Sequence, residues 1–414
     1  MTKTQWILSQ LTRKLWFRSS LFAVLAVMTA LLAIVIKPFI PSGITGLIGT
    51  DAVDKILGIL ASSMLAVTTF SLNIMVSAYN TASSSVTPRA TRLLVEDRTT
   101  QNVLATFIGS FLYSLVGIVA LSMGAYGSQG RVILFFVTLV VIVMIVITLL
   151  RWIQHLAQFG RMAETSQRVE EVTQAALVSR LQDPYMGCSP WHVSDELPDS
   201  FIPVYAEEVG YLQHIDFSML SDFAEAQGIY LYVAVQPGAF IYRSTPLAWL
   251  KTSTSLAAET VKDAFTVDQL RSFDQDPRFG LCVLSEIASR ALSPAVNDPG
   301  TAIDIIGRLV RLFCLRVQPD IGDTRFPRLF LQKPSIQDMF DDAFTAIARD
   351  GAGMIEVQIR LQKAFIALAQ FNAARYESDA RRHAERAIAF ASAAIPIETD
   401  IERLRTLAKG LHQP

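Results

Sequence analysis

The sequence predicts an α-helical membrane domain of four spans followed by a cytoplasmic α+β domain with a helical C-terminal part. Three observations predict it. The first 150 residues hold four long apolar stretches free of Asp, Glu, Lys and Arg, at about 19–36, 56–79, 103–125 and 132–150. Past residue 200 the pattern turns to short segments of alternating polarity, and then to amphipathic helical spacing. Charge also divides the chain: residues 1–182 carry 14 Lys/Arg against 7 Asp/Glu, and residues 183–414 carry 22 against 30.

The approach to the first span is basic and aromatic, with Lys3, Arg13, Lys14, Arg18, Trp6, Trp16 and Phe17. The apolar run 19–36 is longer than the core of a signal peptide, and Lys37-Pro38-Phe39-Ile40-Pro41 offers no small-residue cleavage site, so a retained helix is expected. The second span lies in the longest charge-free stretch, with no Asp, Glu, Lys, Arg or His between Lys55 and Arg89. At about 100° per residue, Ser62, Ala66, Thr69, Asn73, Ser77, Asn80 and Ser84 share one narrow sector, opposite Leu60, Met64, Val67, Ile74 and Ala78. Residues 56–88 as helix would reach about 50 Å, beyond the roughly 30 Å hydrocarbon core, so its last turns are expected to emerge near Arg89. The third span holds Gly109, Ser110, Gly117 and Ser122 for close helix contact, and the fourth is almost pure Val, Ile, Leu and Phe.

Orientation follows from the Lys/Arg bias. The N-terminus and the 89–98 loop are basic, whereas the 37–55 loop and the 126–131 turn hold only Lys37, Lys55 and Arg131. Both termini of a multi-pass protein are therefore expected in the cytoplasm. Residues 151–183 read as a helical stalk and 184–203 as a Pro/Gly/Ser-rich linker, opening a domain over 184–414. Its β-rich part is placed at 204–246, with a short helix 217–227 capped by Asp216 and closed by Gly228. The rest, 255–412, reads as helical, with a break at Gly351-Ala352-Gly353 and a helix start at Ser335 with Asp338.

Composition excludes several classes. No concentrated basic patch is present, so nucleic acid is not an expected partner. Cys188, Cys282 and Cys314 stand far apart, and no Cys/His cluster suggests a disulfide framework or a metal. No phosphate-binding loop, nucleophile elbow, metalloprotease or dinucleotide motif occurs, so neither an enzyme nor a cofactor is expected.

Two motifs remain. After the second span come Thr87-Pro88-Arg89, Arg92, Asp97-Arg98 and Gln101, a loop placed to couple the two halves. In the C-terminal half, Gln275-Asp276-Pro277-Arg278-Phe279-Gly280 is followed by Arg290 and by Ser293-Pro294-Ala295-Val296-Asn297-Asp298-Pro299-Gly300-Thr301. Ser-Pro stops one helix, and Asn297 or Asp298 can cap the next. The same turn can instead be a ligand or cation site. These motifs resemble those of the predicted bacterial inner-membrane proteins grouped as domain of unknown function 2254, with Thr87 where that family usually has Ser. The resemblance implies a bacterial inner (plasma) membrane location and the two-part architecture. It implies no activity. Separately, the segments Gly210–Asp216 and Val235–Leu247 resemble strands of biotinyl/lipoyl-type modules, implying a small barrel-sandwich-like β element.

Two functions fit. In the first, the chain is a homo-oligomeric channel or conduit for an ion or small solute, its path lined by Ser62, Thr69, Asn73, Ser77, Asn80 and Ser84 of the second span. No charged residue lies within a span, which disfavours a proton relay and favours a neutral pore on a symmetry axis. The bland alternative for the same edge is helix–helix packing in the bilayer. In the second, the helices anchor a sensor or scaffold whose cytoplasmic domain binds a ligand or protein.

Overall fold

The computed structural model describes residues 3–12, 16–17, 19–21, 23–25, 27–28, 50–95, 97–124, 127–156, 161–192, 201–251, 255–318 and 324–412. The chain forms two compact units. One comprises residues 7–165, and the other residues 1–6 with 166–414. The fold is mostly helical, with three helices long and apolar enough to cross a membrane and a sheet-containing region. The expected span 19–36 falls largely outside the described residues.

After α1 (Lys3–Thr12), the membrane unit contains α2 (Thr50–Ser85), α3 (Pro88–Val95), α4 (Arg98–Ser122) and α5 (Gly127–Leu156). Helix α4 packs against both α2 and α5. Its small residues allow this: Ala105, Gly109, Ser110, Ser114, Gly117 and Ala120 are all buried, and a Cβ on Gly117 would meet Leu57 of α2 at 3.0 Å. Leu57, Leu60 and Met64 of α2 join Val103 and Phe107 of α4 and Leu134, Ile145 and Trp152 of α5 in the interior. Buried Trp152 donates from its indole Nε1 to Ser71 Oγ at 3.0 Å, which satisfies both polar groups.

The second unit takes in α6 (Met162–Gln182) from Ser166 onward. Within the stretch 151–183 expected as a helical stalk, Val169, Thr173, Ala176, Leu177 and Arg180 of α6 are buried. The strands are β1 (Cys188–Pro190), β2 (Ile202–Tyr205), β3 (Gly210–Ile215), β4 (Leu231–Val233), β5 (Phe240–Ile241), β6 (Pro246–Leu250), β7 (Phe265–Asp268) and β8 (Phe326–Leu331). They form a five-stranded sheet ordered β1-β8-β4-β6-β2 and a three-stranded sheet ordered β5-β3-β7. Strand β8 runs parallel to β1 and β4, and the other pairings are antiparallel.

This region is wider than the small element expected over 204–246. Strands β7 and β8 lie within the stretch read as helical, since their pairing depends on partners far away in sequence. Helix α7 (Phe217–Gln227) is capped by Asp216, whose carboxylate accepts from Met219 N, and ends at Gly228 with φ +64°. Helices α8 (Ser255–Asp263), α9 (Pro277–Ala291), α10 (Pro299–Phe313), α11 (Ile336–Asp350), α12 (Ile355–Phe371), α13 (Ala373–Ala394) and α14 (Glu398–Ala408) complete the unit.

Candidate functional site

The polar edge of α2 points away from its own bundle. Leu57, Leu60, Ala61, Met64, Thr68 and Ser71 are buried on one face, whereas Ser62, Ala66, Thr69, Asn73, Ser77 and Asn80 are exposed on the opposite one. Ser84 lies in the last turn of the same helix. The hydroxyls are partly satisfied within the helix: Ser62 Oγ donates to Gly58 O at 3.0 Å and Thr69 Oγ1 to Leu65 O at 3.0 Å. Asn73 has no such recourse. Its carboxamide meets no hydrogen-bond partner among the described residues and is exposed well inside a helix long enough to span. In hydrocarbon an unmet amide costs on the order of several kcal/mol.

The loop after α2 is built by caps. Thr87 Oγ1 accepts from Ala90 N at 3.3 Å at the start of α3, where Arg89 is exposed and Arg92 half-buried. Asp97 is buried and caps α4, accepting from Thr100 N at 2.7 Å and from Thr100 Oγ1 at 2.5 Å. Its Oδ2 also lies 2.9 Å from His155 Nε2, tying this loop to the end of α5. Arg98, the next residue, is exposed.

In the C-terminal unit every residue of the first motif has a structural task. Gln275 Oε1 accepts from Ile215 N at 3.3 Å. Asp276 caps α9, its Oδ1 accepting from Arg278 N and Phe279 N at 3.1 Å each, with Pro277 in the first turn. Arg278 reaches α11, with Nη1 2.7 Å from Asp338 Oδ2 and Nε 2.6 Å from Asp342 Oδ2. Phe279 is buried, 4.4 Å from the Phe273 ring, and a Cβ on Gly280 would overlap Thr173 of α6. The second motif is a helix junction. Arg290 is half-buried in the last turn of α9, and Ser293 O accepts from Val296 N and Asn297 N. Asn297 takes φ +51°, a conformation that asparagine tolerates. Asp298 caps α10, accepting from Thr301 N at 3.0 Å and Thr301 Oγ1 at 2.5 Å. Those bonds hold its carboxyl below the usual range. The junction therefore follows the capping alternative, with its carboxylate engaged by Thr301.

Sequence reasoning missed a cleft of about 790 Å³ in this unit. It is lined by the turn Gln236-Pro237-Gly238, Arg271 and Asp276, and by Trp191, Tyr211, Phe240 and Lys333 among others. Gly238 has φ +92°, and a Cβ there would overlap the Asp276 carboxylate, so only glycine fits. Arg271 Nη2 and Nε both stand 2.8 Å from Asp276 Oδ2. Burial raises the Asp276 pKa, against the pull of Arg271. The Pro237-Gly238 pair, a turn signal in the sequence, was the signal available for this part of the cleft. Among the described residues no His/Cys/Asp/Glu group has the arrangement of a metal site.

No solved structure matches this chain. An uncharacterised protein of Mycobacterium tuberculosis (strain CDC 1551 / Oshkosh) is 26% identical over 269 residues, covering 61% of this chain and 50% of its own. An uncharacterised protein of Mycobacterium bovis is 25% identical over the same length. The match thus spans half the length of these curated relatives. The family described as "Predicted membrane protein (DUF2254)" matches residues 12–367, most of the sequence, and the chain belongs to that family.

Proposed function

We propose that this protein is a non-enzymatic, homo-oligomeric conduit for an ion or small solute in a bacterial inner membrane. Helix α2 lines the path and the C-terminal unit regulates it from the cytoplasm. The observation that carries this reading is Asn73: an exposed carboxamide, without a partner among the described residues, on a neutral hydroxylic edge opposite the face that packs on α4 and α5. Such an edge is accommodated at a symmetry axis, where copies hydrogen-bond to one another or to water.

Four spans, with both termini on the cytoplasmic side, are part of the same reading. Lys3 and Trp6 belong to the C-terminal unit. Three candidate spans lie between Trp6 and Ser166. In this reading a fourth crossing over 19–36 keeps Trp6 and that unit on one side of the membrane. Flux from liposomes tests the conduit. Leakage of an ion or small solute above that of empty vesicles, altered by Asn73→Leu in folded protein, is the expected result. No leakage under several gradients would remove the reading. The second reading, a membrane-anchored sensor, draws its support from the cleft at Gln236–Gly238.

A further inference from the structure

We infer that the cleft over Gln236–Gly238 binds an anion that carries an aromatic ring, the chemistry of a nucleotide. Its volume of about 790 Å³ lies within the range of small-molecule sites. The sign of the ligand follows from which charges are already engaged. Both oxygens of Asp276 are taken, Oδ1 by the backbone N–H groups of α9 and Oδ2 by Arg271. Asp338 Oδ2 accepts from Arg278. Lys333 is exposed, and among the described residues its ammonium meets no carboxylate. Arg271 and Arg278 also line the space, but they are engaged by Asp276, Asp338 and Asp342, so Lys333 is the charge left over.

The ring follows from the aromatic side chains. Phe240 is 42% exposed; it meets the rings of Tyr211 and Tyr242 at 4.9 and 5.0 Å, and the exposed part of its ring is open to stacking. Trp191 offers a further aromatic surface in the same cleft. The inference stands apart from the conduit reading, because ligand binding is measured whether or not anything crosses the bilayer.

Isothermal titration of the full chain in nanodiscs tests it, with ATP, GTP and NAD as probes. Adenosine lacks the charge and inorganic triphosphate lacks the ring. At least one nucleotide is expected to bind with Kd below about 1 mM, and adenosine and triphosphate roughly tenfold or more weaker. Lys333→Glu and Phe240→Ala, both at exposed positions, are each expected to weaken the bound nucleotide roughly tenfold with the melting temperature unchanged. The inference is overturned if none of the three nucleotides binds, if triphosphate or adenosine binds as tightly as the best of them, or if binding survives unchanged in both variants.

Discussion

Trp6 lies flat on His214, with ring centroids 5.3 Å apart and planes 7° from parallel. His214 is fully buried on β3, and burial lowers its pKa. Two further contacts fix the same N-terminal turn: Lys3 N donates to Asp216 Oδ2 at 2.5 Å, and Lys3 Nζ to Asp263 O at 2.8 Å. The start of the chain is thus held by the unit that ends it. Tags at the two termini are expected on the same side of the membrane, both protected in intact spheroplasts and both cleaved in inverted vesicles. Opposite accessibility would contradict the four-span reading. Trp6→Ala should lower stability by about 3 kcal/mol, the usual cost of removing a buried indole, read from thermal melts of the full chain.

Gly280→Ala is expected to be among the most damaging single-methyl additions in the C-terminal unit. The added carbon falls on Thr173, whose Oγ1 already donates to Val169 O at 2.5 Å, so neither helix has room to yield. A loss of about 2 kcal/mol or more is expected for overpacking of this kind. Gly353→Ala has open space around its added methyl and serves as the control. Equal melting temperatures for the two variants would contradict the α6–α9 packing.

His383 predicts an acid limb in stability. It is buried among Phe340, Phe344 and Phe365, with Nε2 3.1 Å from Asp341 Oδ1 and with Arg382 and Arg386 nearby. Burial pushes its pKa from 6.5 down to about 4. A depressed folded value means the unfolded chain takes the proton first. Stability is therefore complete above pH 6.5 and is lost as pH falls towards 4, by up to about 3 kcal/mol for this group. Melting temperatures recorded from pH 7.5 to 4 should fall less steeply in His383→Phe than in the parent protein. Parallel curves would contradict this assignment.

Asp97 holds three bonds at one oxygen-rich corner: two from Thr100 and one shared with His155. Asp97→Ala removes a helix cap and releases the end of α5, and is expected to cost about 2 kcal/mol. Asp97→Asn keeps one acceptor oxygen and should recover part of that loss in thermal melts. Failure of Asn to recover any of it would place the importance of this residue in its charge alone.

What the sequence made legible was local. The caps at Asp216, Ser335 and Asp298, the left-handed Gly228 and the helix break near Gly351 depend on neighbours within a few residues. The outward turn of Asn73 was also readable, because helical spacing alone separates it from Leu60 and Met64. Distant partners were not readable. Strand β8 pairs with β4 from almost a hundred residues away, and Arg278 finds Asp338 and Asp342 across 60 and 64 positions. The motif around Asp276 stood out as a candidate site, yet its side chains chiefly build the fold. The cleft beside it draws Trp191, Phe240 and Lys333 from separate segments that no local pattern links.

Native mass spectrometry of the full chain in nanodiscs, on the parent protein and on Asn73→Leu, bears most directly on the conduit. A discrete oligomer is expected for the parent, with the leucine variant still inserted and folded but altered in its oligomer distribution or its flux. A parent protein that is a single protomer would leave Asn73 facing lipid alone and would contradict the conduit outright.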